Sequence, residues 1–359
     1  MNRLTALSGF DRKGPAAFLA EIEGRRFLLD LGEGPDDARR PDLSGVGPVD
    51  AILVSHGHPD HVGALDMKGA LGNPPVHATG LVARTAARGL SGEVLPLPME
   101  GASEIAGVTV ETGPAGHAPG AVWMRLGGEE GLLYTGDCSP ESVLFAYRCP
   151  PRAAALVLDA SYGVYDEPLE SALARLLALA QEPLLLPAPA GGRGLEMALL
   201  LCEAGAEVAL CPAHLEVASI LLESGGLSPR LAARLCALLE KAAPLGPDAP
   251  ARGVMIAAKP NAQGGVAAAL AERFARSGEA RIVFTGHLSA GTPAQALVAA
   301  GKAQFLRWNV HPRLTDIAAL LEAVRPRLAM PAFVAQGGRE ALAAALPGFR
   351  LADRPRMKW

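Results

Sequence analysis

The chain has 359 residues, half of them hydrophobic and 4% aromatic, with a formal net charge of −4. That length and apolar content allow a sizeable core and two domains, while the acidic balance excludes a globally basic nucleic-acid footprint. No charged-then-apolar leader opens the chain and no apolar run reaches about 18 residues, so a soluble, cytoplasmic protein without a membrane span is expected.

The first fifty residues read as strands. Ala16 to Ile22, the turn Glu23-Gly24, and Arg25 to Asp30 form an expected hairpin with glycine at its turn. Asp30 closes the second strand, where a carboxylate either caps a turn or serves a nearby site. Val49 to Val54 is a short apolar run suited to a buried strand. It delivers Ser55-His56-Gly57-His58-Pro59-Asp60-His61 at the point where a strand stops and a loop begins. A lone histidine there would read as packing. Three histidines and an aspartate in one short loop read as a metal site, because neutral imidazoles and carboxylates are the ligands zinc accepts. The spacing suggests two ions, one faced by His56 and His58, the other by Asp60 and His61. This pattern resembles the His-x-His-x-Asp-His signature of the metallo-β-lactamase superfamily, and the resemblance implies that Asp30 orients the loop.

Val62 to Leu71 reads as a helix, Pro75 to Thr79 as a strand with a structural His77, and Leu81 to Gly89 as helical. Gly107 to Thr112 is a strand running into Gly113 to Gly120, a tight loop holding His117. Gly131 to Cys138 is another strand, delivering the carboxylate of Asp137 at its end. A carboxylate has two oxygens and can bridge two cations. The resemblance to the superfamily's third and fourth motifs makes His117 a ligand and Asp137 the shared one. Cys138 reads as a buried neighbour. The five cysteines are odd in number and lack a CxxC pattern, so they are expected to be reduced and mostly buried.

Ala155 to Gly163 is a buried strand ending in Asp159, Ser161 and Tyr162. Beyond it, strand-bearing segments at 183–194, 253–260 and 282–288 alternate with helices near 168–181 and 195–204, the mark of a parallel α/β unit. This order resembles the β-CASP branch of the superfamily, which includes RNA-processing nucleases and carries an extra domain capping the metal cleft. Phe305 to His311 reads as a strand leading to a histidine, followed by a helix over 314–324. His311 alone is equally a functional residue or a surface residue at a helix start. The resemblance implies that it protonates the leaving oxygen, with Asp159 as its orienting partner. Trp308 reads as either a base-stacking platform or packing between domains. One departure stands out: Phe333 occupies the place where the branch has a histidine closing the second metal site.

The expected fold is therefore an αβ/βα metallo-β-lactamase sandwich with an inserted β-CASP-like α/β cap. Residues 1–182 and 308–359 would form the first domain and 183–307 the cap. The expected cofactors are two zinc ions, the second held loosely, with manganese or iron as alternatives. The expected ligands are His56, His58, Asp60, His61, His117 and Asp137. Asp60, Asp159 and His311 are the expected catalytic groups, and Tyr162 and His287 the expected substrate contacts. His287 also stands as a substitute for the missing second-site histidine. The implied function is a metal-dependent hydrolase acting on RNA. The alternatives are a small-molecule ester or phosphodiester hydrolase, and a catalytically weak RNA-binding subunit. No membrane partner is expected, and homodimerisation is left open.

Overall fold

Alternating apolar side chains build two sheets that share one core, in a computed structural model that describes residues 1–86, 90 and 92–359. The first sheet has seven strands. Their spatial order is Arg356–Lys358, Arg3–Ser8, Ala17–Ile22, Arg25–Leu29, Ala51–Leu53, Val76–Ala78 and Val94–Pro96. The pairing is antiparallel as far as Arg25–Leu29 and parallel beyond it. The second sheet has six, in the order Leu328–Ala332, Ala155–Asp159, Leu132–Tyr134, Val122–Leu126, Val108–Pro114 and Gly101–Ile105. It repeats the scheme, parallel at one side and antiparallel at the other.

Side-chain alternation sorts the residues between layers. Phe27, Leu29 and Leu53 face inward and meet Val110, Met124, Tyr134 and Val157 of the other sheet. Leu28, Ile52 and Val54 face outward and are covered by Val62, Leu65, Leu71 and Val82. Leu133, Leu156 and Leu158 are covered in turn by Ile317, Leu320, Leu321 and Val324 of the helix Leu314–Val324. Sheets buried on both faces need nearly continuous apolar strands, and Ala155–Asp159 (ALVLD) is buried throughout.

By its internal contacts the chain separates into two units, Met1–Glu167 with Val310–Trp359, and Pro168–Asn309. The helix Leu169–Leu179 falls in the second unit. That unit holds a six-stranded, wholly parallel sheet in the order Ala243–Pro244, Val208–Leu210, Val254–Ala257, Leu184–Pro187, Arg281–Phe284 and Gln304–Phe305. Among the described residues no helix is long and apolar enough to cross a membrane.

Several local expectations change. Val62 to Leu71 is no α-helix: a single turn, Pro59–Val62, stops at Gly63, and a 3-10 helix follows at Leu65–Leu71. Helix Gly80–Thr85 is present, whereas the end of the expected helical stretch, residues 87–89, lies outside the described residues. The strand expected over 305–311 is only Gln304–Phe305, and the chain beyond it is irregular. Trp308 is fully buried within the second unit, its Nε1 donating to Glu196 at 2.9 Å, so it offers no face to a base. The cysteines are free, but only Cys138 and Cys211 are buried; Cys149 and Cys236 are exposed.

Candidate metal centre

The site lies wholly in the first unit, where strands of the two sheets end. Ala51–Leu53 leads into the 55–61 loop, Val108–Pro114 into the loop of His117, and Leu132–Tyr134 into Asp137. Asp30 pins the first of these. It is fully buried at a φ of 58° and accepts from Ser55 N (2.7 Å), Ser55 Oγ (2.6 Å), His61 Nδ1 (2.7 Å) and Tyr134 OH (2.5 Å). Gly136 lets the two loops meet: at a φ of 55°, a Cβ there would lie 2.6 Å from Ser55 Cβ.

The outward nitrogens of His56 and His117 are already committed, which decides what their inward ones present. His117 Nδ1 donates to the Val310 carbonyl at 2.7 Å. Ser55 Oγ gives its proton to Asp30, so His56 Nδ1, 3.1 Å away, donates to that oxygen. Each ring therefore turns a lone pair inward from Nε2. His58 Nδ1 lies 3.1 Å from His56 Nε2 and 3.0 Å from His117 Nε2. Three imidazole nitrogens facing one another at this range cannot all be satisfied by protons. Nitrogens about 2.0–2.1 Å from a tetrahedral zinc ion sit about 3.3 Å apart, so the set fits a cation.

Asp137 completes the cluster. Its Oδ2 is 3.6 Å from His117 Nε2 and 4.0 Å from His56 Nε2, and its buried Oδ1 lacks a hydrogen-bond partner. His61 Nε2 is 3.3 Å from that Oδ1. Ligand atoms come together in three sets: His56, His58 and His117; His56, His61 and Asp137; and His117, Asp137 and His311.

Electrostatics follow from this crowding. Burial, then the neighbouring imidazoles, hold His56 well below the ordinary histidine range. Burial likewise holds His117 well below it, against the pull of Asp137. Burial also acts on His61, but Asp137 and Asp30 outweigh it and raise it well above the ordinary value. Burial would raise the Asp137 carboxyl, yet His61, His311 and Lys13 bring it well below the usual range.

Beside this set, His311 Nδ1 donates to Asp159 Oδ2 at 2.7 Å. Asp159 is fixed in turn by Ser161 N and Oγ, at 3.0 and 2.7 Å, and by Cys138 N at 3.2 Å. The Tyr162 ring stands edge-on to His311 at 5.0 Å, and its OH accepts from Val310 N.

The structure thus gathers His56, His58, His61, His117, Asp137, Asp159, His311 and Tyr162 around one place. It does not bring Asp60 into any of the three ligand sets; its side chain lies against Gly14. His287 is in none of them either and belongs to the second unit. Phe333 packs its ring edge on His61, with centroids 5.3 Å apart. His77 sits on the strand Val76–Ala78, outside the ligand sets.

Sequence reasoning missed Lys13. It stands in the loop between Arg3–Ser8 and Ala17–Ile22, with Nζ 3.2 Å from His311 Nε2 and 4.0 Å from Asp137 Oδ2. Burial would lower its pKa, but Asp137, Asp60 and Asp159 together raise it, so it is an ammonium. No motif marks this lysine, because its loop is brought to the site by the sheet and not by nearness in sequence.

Residues 11–186 match the sequence pattern described as the metallo-β-lactamase superfamily. That segment belongs to the metallo-β-lactamase superfamily. The chain is 31% identical over 176 residues to Ribonuclease TTHA0252 of Thermus thermophilus, covering 41% of each protein. It is 25% identical over 247 residues to Transcription termination factor FttA of Cenarchaeum symbiosum, covering 55% of this chain and 38% of that one. A shorter match, 40% over 82 residues, is to Cleavage and polyadenylation specificity factor subunit 2 of Oryza sativa subsp. japonica, covering 21% of this chain and 11% of that one. The matches thus cover less than half the length of these relatives. Their names agree with the β-CASP resemblance. A crystal structure of a protein of unknown function from Enterococcus faecalis V583 superposes with a TM-score of 0.61 at 14% identity, over 98% of this chain and 97% of that one. That likeness is one of fold alone.

Proposed function

We propose that this protein is a metal-dependent phosphodiesterase acting on RNA. One zinc ion would be held by His56, His58 and His117 with Asp137. The observation that carries the reading is the convergence of three inward imidazole nitrogens on a buried carboxylate, with a separate histidine–aspartate pair alongside. A divalent cation bound there supplies a Lewis acid to the phosphoryl oxygen and lowers the pKa of water.

The chain's own residues supply the rest. Asp30 holds the 55–61 loop so that the imidazoles stay pointed inward. His311 carries the proton for the leaving oxygen. Its Nδ1 is committed to Asp159, so transfer runs through Nε2, where Lys13 faces it at 3.2 Å. Tyr162 fixes the plane of the His311 ring. Residues 168–309 are the β-CASP-like cap, a role supported by their parallel α/β architecture and by the resemblance. The five free cysteines suit a reducing cytoplasm. The names of the relatives, a ribonuclease among them, support RNA over other phosphodiesters.

The test is a zinc-loaded full-length sample assayed on single-stranded RNA, DNA and bis(p-nitrophenyl) phosphate, with His56→Ala as control. RNA cleavage that disappears in His56→Ala is expected. RNA affinity should fall with salt, with a log–log slope of several ions. Turnover of the small phosphodiester alone, with a slope near zero on RNA, would favour a small-molecule hydrolase, a reading that the net charge of −4 keeps in view.

A further inference from the structure

We infer that the Lys13 ammonium stands in for a second metal ion, so that this chain works with one divalent cation and one fixed lysine charge. The inference rests on the metal-centre reading above and deepens it.

The second ligand set lacks two of its expected members. Asp60 stays outside every set of converging ligand atoms, and Phe333 puts an apolar ring edge against His61. Of the expected second-site groups His61 remains, its Nδ1 held by Asp30 at 2.7 Å and its Nε2 facing Asp137 Oδ1 at 3.3 Å. On the far oxygen of the same Asp137, the nearest fixed cation is Lys13 Nζ, at 4.0 Å. A divalent ion settling between them would meet an ammonium of the same sign in a site where water screens little.

Lys13 is not a surface lysine that has folded back by chance. Its side chain is 23% exposed, and its loop is tied down on both flanks. Ala16 N donates to Asp60 O at 2.8 Å, and Phe333 N donates to Gly9 O at 2.7 Å. The Arg339 guanidinium lies 3.9 Å above the Phe10 ring. Phe333, the residue that departs from the family pattern, is thus bonded to the loop that carries Lys13. An ammonium has three donors; Asp137 at 4.0 Å pairs with its charge without a hydrogen bond, and His311 Nε2 takes none while it carries its proton, so donors are left for an anionic phosphoryl oxygen. The class of ligand is a phosphate monoanion or diester, contacted by one metal ion on one side and by a lysine on the other.

The experiment counts metal on the full-length protein, stripped with chelator, reloaded with excess zinc and desalted, by plasma mass spectrometry. Inorganic phosphate serves as an inhibitor probe. One ion per chain is expected in the wild type and in Lys13→Met, and none in His56→Ala. Lys13→Met should weaken phosphate inhibition about tenfold and slow bis(p-nitrophenyl) phosphate turnover about a hundredfold, the scale for losing one preorganised donor. Lys13→Arg should recover part of the phosphate affinity. Two tightly held ions in the wild type would overturn the inference while leaving the hydrolase reading standing. Unchanged phosphate inhibition in Lys13→Met would do the same. No ion at all in the wild type would sink both. The wild-type count decides the matter even if a variant fails to fold.

Discussion

Asp30 shows how one buried residue governs a site it does not enter. Its two oxygens accept four hydrogen bonds that fix Ser55, His61 and Tyr134, and through Ser55 they set the His56 tautomer. Removing the carboxylate leaves several buried donors unsatisfied at once, each costing about 1–3 kcal/mol. Asp30→Ala should therefore lower unfolding stability by about 3 kcal/mol in a urea titration and also weaken zinc uptake. A variant that stays within about 0.5 kcal/mol of wild type and keeps its metal would show that the loop holds itself. The same logic explains why His117 meets His58, distant in sequence, at 3.0 Å: its outward nitrogen is held by the Val310 carbonyl.

At the scale of elements, the joint between the strand Val208–Leu210 and the helix Pro212–Glu223 carries a pH dependence of its own. His214 is fully buried, with Nδ1 3.2 Å from Cys211 Sγ. Burial, opposed by a bond to the Pro189 carbonyl, depresses its pKa from 6.5 to about 4. Above pH 6.5 the folded and unfolded forms are both neutral and the group contributes nothing. As pH falls below that, the unfolded chain takes a proton that the native one refuses, and stability is lost down to about pH 4. At pH 5 the loss is about 2 kcal/mol. Urea midpoints at pH 7 and pH 5 should show it, and His214→Asn should remove most of the difference. Equal pH slopes for the two proteins would place the dependence elsewhere.

For the whole molecule, metal and folding are linked because the ligands come from separate strands of two sheets. The unfolded chain offers no such set, so binding stabilises the native form by about 2.7 kcal/mol when free zinc stands at a hundred times Kd. Chelation should lower the melting temperature of the full-length protein and added zinc should restore it. His56→Ala should melt at the same temperature with or without chelator. A chelator-insensitive wild type would mean that the cluster is held by the fold alone.

What the sequence determined was the set of groups dense in one short segment or at strand ends: His56, His58, His61, His117, Asp137 and the superfamily fold itself. Those signals are local, since a loop after a buried apolar run must expose its polar residues at the sheet edge. The departure at Phe333 was legible only through the family resemblance. Tertiary structure alone decided the rest. It left Asp60 outside the ligand sets and set His61 between Asp30 and Asp137, while the pairing of His311 with Asp159, 152 positions away in sequence, was expected from the resemblance and not from any local pattern. It carried Lys13 across a sheet to a carboxylate 124 residues further on (137 − 13). Distance along the chain hides such meetings because they depend on strand order and loop ties, which no local pattern encodes.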